Sequence, residues 1–191
     1  ISSAASDVYK RQARDARYAF LRSLDGKIAT AHTADDNAET VIMRMIRGTG
    51  LKGLGAIAPV SGKVIRPMLL INRQEVEEFL LAWGLPHRED SSNASDAFLR
   101  NRIRHTVMPL LKSENPRLAE NLSLMALRLR EDEDFLAAQS DFSALPGVQT
   151  LKAMPKAQRS RCIERFLKDS GVKEPEDSHI SAVEGLSLIH I

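Results

Sequence analysis

Residues Thr30 to Leu54 read TAHTADDNAETVIMRMIRGTGLKGL, and polar chemistry meets helix signals within them. Immediately upstream, Lys27 to Ala31 reads as a short buried strand, with His32 to Asp36 as the loop leaving its C-terminal end. Asp35 and Asp36 stand where a helix should begin, and Glu39 follows them at N-cap and capping-box spacing. Val41, Ile42, Met45 and Ile46 recur at helical intervals as one apolar face, with Arg44 and Arg47 off it. Gly48 and Gly50 then stop the helix. In an open parallel sheet, ligands bind beyond the carboxyl ends of the strands, so this order puts the carboxylates where a site would lie. Asp35, Asp36 and Glu39 fall within about one helical turn, suited to holding an ammonium or a magnesium ion, or to taking a proton from an amine. The simpler reading of the same spacing is that Asp36 caps the helix and Glu39 completes the box. Arg47-Gly-Thr-Gly is either a plain helix stop or a place where Arg47 supplies the cation that a phosphate at a helix C-terminus needs.

The wording of the stretch says more than its spacing. Thr30-Ala-His-Thr-Ala-Asp-Asp-Asn-Ala-Glu-Thr40, followed by Arg47-Gly-Thr-Gly-Leu-Lys-Gly-Leu54, closely resembles the second signature of the tRNA(Ile)-lysidine synthetase family. Asn37 stands where that signature has Gln, a mild departure. The resemblance implies an ATP pyrophosphatase (PP-loop) enzyme with an α/β nucleotide-binding domain. Such an enzyme activates a wobble cytidine of tRNA(Ile) with ATP and Mg2+, then joins free lysine to it. On this reading Asp36 and Glu39 hold and deprotonate the lysine amine, Asp35 helps or binds the magnesium, and His32 lies near the cytidine. Thr30, Arg47 and Gly48 would contact ATP or lysine. The family also carries a glycine- and serine-rich phosphate loop upstream of this point; no such dense run of backbone N–H groups is found in this chain, so part of the nucleotide site is expected to be missing.

Other segments extend the resemblance. Ala13 to Tyr18 reads as a helix with Arg14 and Arg17 on one side and Tyr18 and Leu21 inward, similar to a family segment preceding the signature. Lys63 to Pro67 is a short strand stopped by proline. Asn72 and Glu75 make a capping box for a helix whose Val76, Phe79, Leu80 and Trp83 form a core face ended by Gly84. Arg66 and Arg73 correspond to family positions, with surface ion pairing the simpler role. In Phe98-Leu-Arg-Asn-Arg-Ile-Arg-His105, Arg100 and Arg104 share one helix face while Ile103 and Val107 turn inward. Arg100, Arg102 and Arg104 are the candidates for tRNA backbone or ATP phosphates, because guanidinium grips phosphate through paired hydrogen bonds. A salt-bridge network with Glu89 and Asp90 is the alternative. Pro109 should bend or end this helix. Asn115-Pro116 starts a long helix striped by Leu118, Leu122, Met125, Leu129 and Leu136. Residues 151 to 168 carry Lys152, Lys156, Arg159, Arg161, Arg165 and Lys168 against the single acid Glu164, with Ile163, Phe166 and Leu167 as an apolar face. This reads as an amphipathic helix opening a small helical domain, with Lys156, Arg159 and Arg165 placed to track tRNA phosphates.

Composition sets the frame. Of 191 residues, 43% are hydrophobic and 27% charged, with net charge +2, which bounds a soluble globular chain and makes the local distribution of charge matter more than its sum. No apolar run approaches membrane-spanning length. Cys162, the one cysteine, excludes an internal disulfide and fits a cytoplasmic protein; it reads as a small core residue. Residues 2–12, SSAASDVYKRQ, and 186–191, LSLIHI, are what a transposase sequencing adapter and its reverse complement would encode, so both ends are set aside as translated library sequence.

The resulting fold expectation is α/β. It comprises the C-terminal part of a Rossmann-like (adenine nucleotide alpha hydrolase-like) parallel-sheet domain, then a helical linker and the start of a small helical domain. In residues, 1–12 are adapter, 13–112 a partial ATP-pyrophosphatase catalytic domain, 113–150 connector helix and linker, 151–185 the start of the tRNA- or substrate-binding domain, and 186–191 adapter. The partners are tRNA(Ile) and free lysine, with no membrane; a homodimer is compatible. Two other readings stand beside this one: another PP-loop ATPase, a tRNA thiolation enzyme or an amidotransferase's synthetase half, and a helical RNA-binding module with no chemistry of its own.

Overall fold

In the computed structural model of the chain, the described residues are 12, 15–87, 98–140, 146–173 and 175–189. Most of the adapter-like N-terminal run, Ala13, Arg14, and the acidic Glu89 to Asn93 segment lie outside them. The chain forms two compact units, residues 1–130 and 131–191.

The first unit opens with α1 (residues 15–23), in which Tyr18 and Leu21 are half-buried and Arg17 is exposed, as the pattern predicts. Three two-residue strands follow in a sheet of order β1-β3-β2. β1 (Ile28–Ala29) runs parallel to β3 (Val64–Ile65), held by Ile28 N–H to Lys63 O at 2.8 Å and Thr30 N–H to Ile65 O at 3.0 Å. β2 (Val60–Ser61) pairs antiparallel with β3 across a turn at Gly62, whose φ of 58° suits glycine. The strand expected over Lys27 to Ala31 is shorter than predicted and is not buried: Ile28 is half-buried and Ala29 exposed, because β1 is an edge strand of this sheet.

The helix expected after the acidic loop is α2 (Ala34–Arg47), but it starts one turn earlier than the carboxylates suggest. Thr33 is its N-cap. The Thr33 hydroxyl accepts from Asp36 N–H and the Asp36 carboxylate accepts from Thr33 N–H at 3.0 Å, a complete capping box. Asp36 is therefore the third helical residue rather than the cap, and Glu39 takes no part in the box. The C-terminus is as predicted: Gly48 adopts φ 74°, which a side chain would disfavour, and its N–H returns to Met45 O.

The apolar face of α2 also differs from the expectation. Met45 and Ile46 are 55% and 58% exposed, whereas Ala34, Ala38 and Val41 are fully buried. They face α7 (Leu118–Gln139), where Ala119, Ser123 and Ala126 are buried at the same i, i+4, i+7 spacing. Small side chains let the backbones approach, and the buried Ser123 hydroxyl donates to Ala34 O at 3.2 Å. Around this seam, Ala34, Ala38, Ile103, Met108 and Ala119 form one core cluster, and Val41, Ala56 and Ala126 another. Burying a side chain such as Ile103 contributes about 2 kcal/mol. The predicted Leu118, Leu122 and Met125 pack at the cluster margins.

After the short α3 (Leu51–Leu54), Ala56 sits at φ 40°, an uncommon conformation for a residue with a side chain. Polar anchors hold it: Arg44 donates to Gly53 O and Ala56 O, Arg130 to Gly55 O and Ala56 O, and the buried Asn37 carbonyl accepts from Ile57 N–H at 2.9 Å. Arg44, expected merely to stay off the apolar face, thus fixes the loop beyond α3.

α4 (Arg73–Ala82) has the predicted Asn72/Glu75 capping box, and Gly84 past its end has φ 60°. Its apolar face is not core. Phe79 and Trp83, at 54% and 71% exposure, stack on one another with ring centroids 5.8 Å apart instead of entering the interior. The RNRIR segment lies on α5 (Leu99–Arg102), a five-residue π-helical segment (Ile103–Val107) and α6 (Met108–Glu114). Pro109 neither ends nor breaks this run. Proline removes one N–H donor, and the wider π turn just before it absorbs the mismatch, leaving Pro109 in the first turn of α6.

In the second unit, α8 (Val148–Ala153) begins inside the expected linker and α9 (Lys156–Asp169) follows a break at Pro155. α10 spans Asp177–Ile189. Leu151, Cys162 and Ile163 are buried, the Cys162 thiol donating to Ser140 O at 3.7 Å, so the cysteine is a core residue as expected. No helix among the described residues is long and apolar enough to cross a membrane.

Candidate active site

Freed from capping duty, Glu39 is buried, with 2% of its surface exposed, on the first turns of α2. A lone carboxylate there would be costly, and the RNRIR helix removes the cost. Arg100 Nε donates to Glu39 at 2.8 Å and its Nη2 to Asp36 at 2.9 Å. Arg104 Nε donates to Glu39 at 2.6 Å, and its Nη2 bonds both Glu39 at 3.0 Å and Asp36 at 3.2 Å. The pKa of Arg104 is raised, first by its hydrogen bond to Glu39 and then by the nearby carboxylate charges, which outweigh its desolvation. The two motifs that resemble the family therefore meet in one four-membered ionic cluster. Arg100 and Arg104, read from sequence as phosphate contacts, are matched to Asp36 and Glu39, while the alternative partners Glu89 and Asp90 lie outside the described residues.

Asp35 is engaged separately. Its carboxylate accepts from Lys112 Nζ on α6 and from Arg73 N–H at 2.7 Å, while the Arg73 side chain pairs with Glu77 on the surface. These groups line a cleft of about 730 Å3 together with Ala31, Val76, Leu80, His87 and Met108. Lys112 had no place in the sequence reading, although it lies eight residues beyond Arg104 along the same helical run. Each carboxylate on the cleft already has a cationic partner, and the described residues offer no group of three or more His, Cys, Asp or Glu arranged to hold a metal ion. A magnesium ion at Asp35 would have to displace the Lys112 ammonium, so the residues as arranged do not fit that ion.

His32 faces away from this cleft. Its Nδ1 shares a hydrogen bond with Thr30 Oγ1 at 2.9 Å, and it lines a second cavity with Arg17, Tyr18, Thr40, Arg44, Arg47, Arg66 and Arg100. Arg47, predicted as a ligand contact, lies at that cavity in the last turn of α2, next to the Gly48 cap. Arg66, read from sequence as a surface ion-pairing residue, donates to Ala58 O at 2.6 Å instead. Arg102 is exposed on α5. In the second unit Arg159 pairs with Glu184 at 3.0 Å, Arg165 with Asp169 at 3.7 Å, and Lys156 is exposed at the start of α9. Arg161, not among the predicted contacts, pairs with Glu133 at 2.6 Å.

Residues 3–111 match a known family, the PP-loop domain. The chain belongs to that family. It is 38% identical to the tRNA(Ile)-lysidine synthase of Geobacter sulfurreducens over 196 aligned positions, covering 92% of this chain and 42% of that protein. With the tRNA(Ile)-lysidine synthase of Solibacter usitatus it is 39% identical, covering 74% and 35%, and with that of Bacillus subtilis 35% identical, covering 81% and 37%. The resemblance seen in the Thr30 to Leu54 stretch thus extends over most of the chain, and the α/β assignment agrees with it. The chain spans about two fifths of the length of these curated relatives.

Proposed function

We propose that this chain is the amine-handling part of a tRNA(Ile)-lysidine synthase. The observation that carries the reading is the buried Glu39 sharing two guanidinium partners with Asp36 at the start of α2. In the proposed reaction the carbonyl oxygen on the wobble-cytidine base ring attacks the α-phosphorus of ATP, forming a P–O bond and releasing pyrophosphate. The side-chain nitrogen of lysine then attacks the activated ring carbon, and AMP leaves as the C–N bond forms.

A free lysine side chain has a pKa of about 10.4, so it arrives protonated and must surrender a proton before it can attack. Asp36 and Glu39 are assigned to hold the ammonium and accept that proton, with Asp35 as helper. Lys112 offers an internal parallel, because an ammonium on an identical four-carbon stem already sits on Asp35 in this cleft. The incoming ammonium must displace a guanidinium from Asp36 or Glu39, and Arg100 or Arg104 is then released toward phosphate. His32 is assigned to the cytidine side, and Thr30, Arg47 and Gly48 to ATP or lysine. Arg102, Lys156, Arg159 and Arg165 are assigned to tRNA backbone, as are Arg100 and Arg104 once released. Action on a tRNA with ATP and a free amino acid suits the cytoplasm.

Filter binding with tRNA, with and without ATP and lysine, combined with transfer of radiolabelled lysine, tests this reading. The whole protein is expected to transfer lysine only when ATP is present, and the 191-residue chain to bind tRNA weakly and transfer none. Binding by the whole protein that ignores ATP and lysine and modifies nothing would identify an RNA-binding module instead.

A further inference from the structure

Three elements wall the carboxylate cleft: the start of α2, the run from Arg104 into α6, and α4, which supplies Val76 and Leu80. They are not held equally. α2 and the α6 run meet in a buried core through Ala34, Ala38, Ile103 and Met108, whereas α4 has no buried residue. Val76 and Leu80 are half-buried, and Phe79, Leu81 and Trp83 are exposed. A helix of ten residues is marginal by itself, so the place of α4 depends on what fastens it.

Among the described residues, the hydrogen bonds from α4 and its lead-in to the other walls and to α7 sit at residues 71 to 73. Ile71 O accepts from Ala34 N–H at 2.9 Å, Asn72 Nδ2 donates to Glu120 on α7 at 2.7 Å, and Arg73 N–H donates to Asp35 at 2.7 Å. The last of these is distinctive. Arg73 is the first helical residue, so its N–H has no acceptor within α4, and the Asp35 carboxylate meets it at the positive end of the helix dipole. The other oxygen of the same carboxylate accepts from Lys112 on α6. Asp35 thus rides on α2 and bonds both other walls of the cleft.

We infer that Asp35 is a positioning residue: it fastens the α4 wall to α2 and α6 and so sets the opening that the amine must enter. The inference rests on the proposed function, and it makes the help that Asp35 gives to Asp36 and Glu39 structural, without contact to the amine. A wall tethered at one end presents Val76 and Leu80 to a substrate only in the fastened fraction of molecules, and apparent affinity falls with that fraction.

Arg73→Pro isolates the clasp. Proline suits the first helical position and removes only the N–H there, and Asn72, at ψ 163°, already has the extended backbone required before proline. Asp35 keeps its charge and its Lys112 partner. Arg73→Ala is the control, since it removes the same side chain, which pairs with Glu77 on the surface, and keeps the N–H. In hydrogen exchange on the 191-residue chain, Arg73→Pro is expected to speed the α4 amides at least about tenfold relative to Arg73→Ala, with the α7 amides within about twofold. In the whole protein, Arg73→Pro and Asp35→Ala are each expected to raise KM for lysine at least about fivefold with kcat within about threefold, and Arg73→Ala to leave both within about twofold. Equal α4 exchange in the two Arg73 variants, or an equal rise in α7, overturns the fastening. A KM raised by Asp35→Ala but not by Arg73→Pro also overturns the inference, because Asp35 then acts on the amine itself. Absence of lysine transfer by the wild-type protein is a failure of the proposed function, and the exchange result still decides the fastening.

Discussion

The two ends of α2 carry opposite charge and are treated in opposite ways. At the N-terminal end, Asp35, Asp36 and Glu39 are each matched by a cation from a distant part of the chain. At the C-terminal end, Arg44 and Arg47 meet no carboxylate among the described residues. Both placements obey the helix dipole, which favours acids early and bases late. That local rule therefore explains neither the pairing of the first nor the lack of pairing in the second. Pairing is set by what the tertiary fold delivers: the RNRIR helix to one end, and backbone carbonyls beyond α3 to the other. A charge cluster that is closed on itself must exchange a partner to bind; one that is open need not.

The comparison breaks first at Glu39. Glu39→Gln leaves Arg100 and Arg104 to share the single carboxylate of Asp36 and should destabilise the chain by about 2 kcal/mol in urea unfolding. The loss falls short of that for a fully buried pair because Arg100 keeps 39% of its side-chain surface. A loss under about 0.5 kcal/mol, the range of an ordinary surface change, would mean that the cluster is not what holds this end.

Next comes the helix stop. Gly48→Ala forces a side chain into φ 74° and should cost about 1 to 2 kcal/mol by the same assay. Thr33→Ala removes the hydroxyl of the capping box and should cost about 1 kcal/mol, with Asp36 losing one of its orienting bonds.

Smaller effects sharpen the contrast. Burial pushes the Cys162 thiol up from its ordinary value of about 8.5. With the folded pKa above the unfolded one, the stabilising contribution is whole below about pH 8.5 and is lost as pH rises through the folded value. Cys162→Ala should therefore flatten the decline in stability as pH rises above about 8.5. Arg47→Ala should change stability by less than about 0.5 kcal/mol, because its guanidinium has no ion-pair partner among the described residues to lose. If Arg47→Ala were as damaging as Glu39→Gln, the two ends of α2 would not differ.

Much of this was legible in the sequence. The Asn72/Glu75 box, the Gly48 stop, the strand ended by Pro67, the inward Ile103 and the buried Cys162 all followed from local rules that act within one turn. What escaped depends on distance along the chain. Thr33 outcompeted Asp36 as the cap because the helix begins where its alanines can pack on α7, and a run of Ala, Ser and Ala at 119, 123 and 126 announces no core by hydrophobicity. The same bias toward large side chains assigned Met45, Ile46 and Trp83 to the interior, although all three are exposed. For the site, the sequence named the acids and the arginines separately. Nothing in either segment states that residues 36 and 39 meet residues 100 and 104; that pairing spans more than sixty positions.

The central claim is that Asp36 and Glu39 handle the amine of lysine, and Asp36→Asn in the whole protein tests it most directly, since it removes the charge while retaining a polar group that can still accept from Thr33 N–H. With tRNA and ATP saturating, kcat/KM for lysine should fall at least a hundredfold while lysine-independent release of pyrophosphate stays within about threefold; each tenfold step corresponds to about 1.4 kcal/mol. Unchanged lysine kinetics in a folded Asp36→Asn protein would contradict the account.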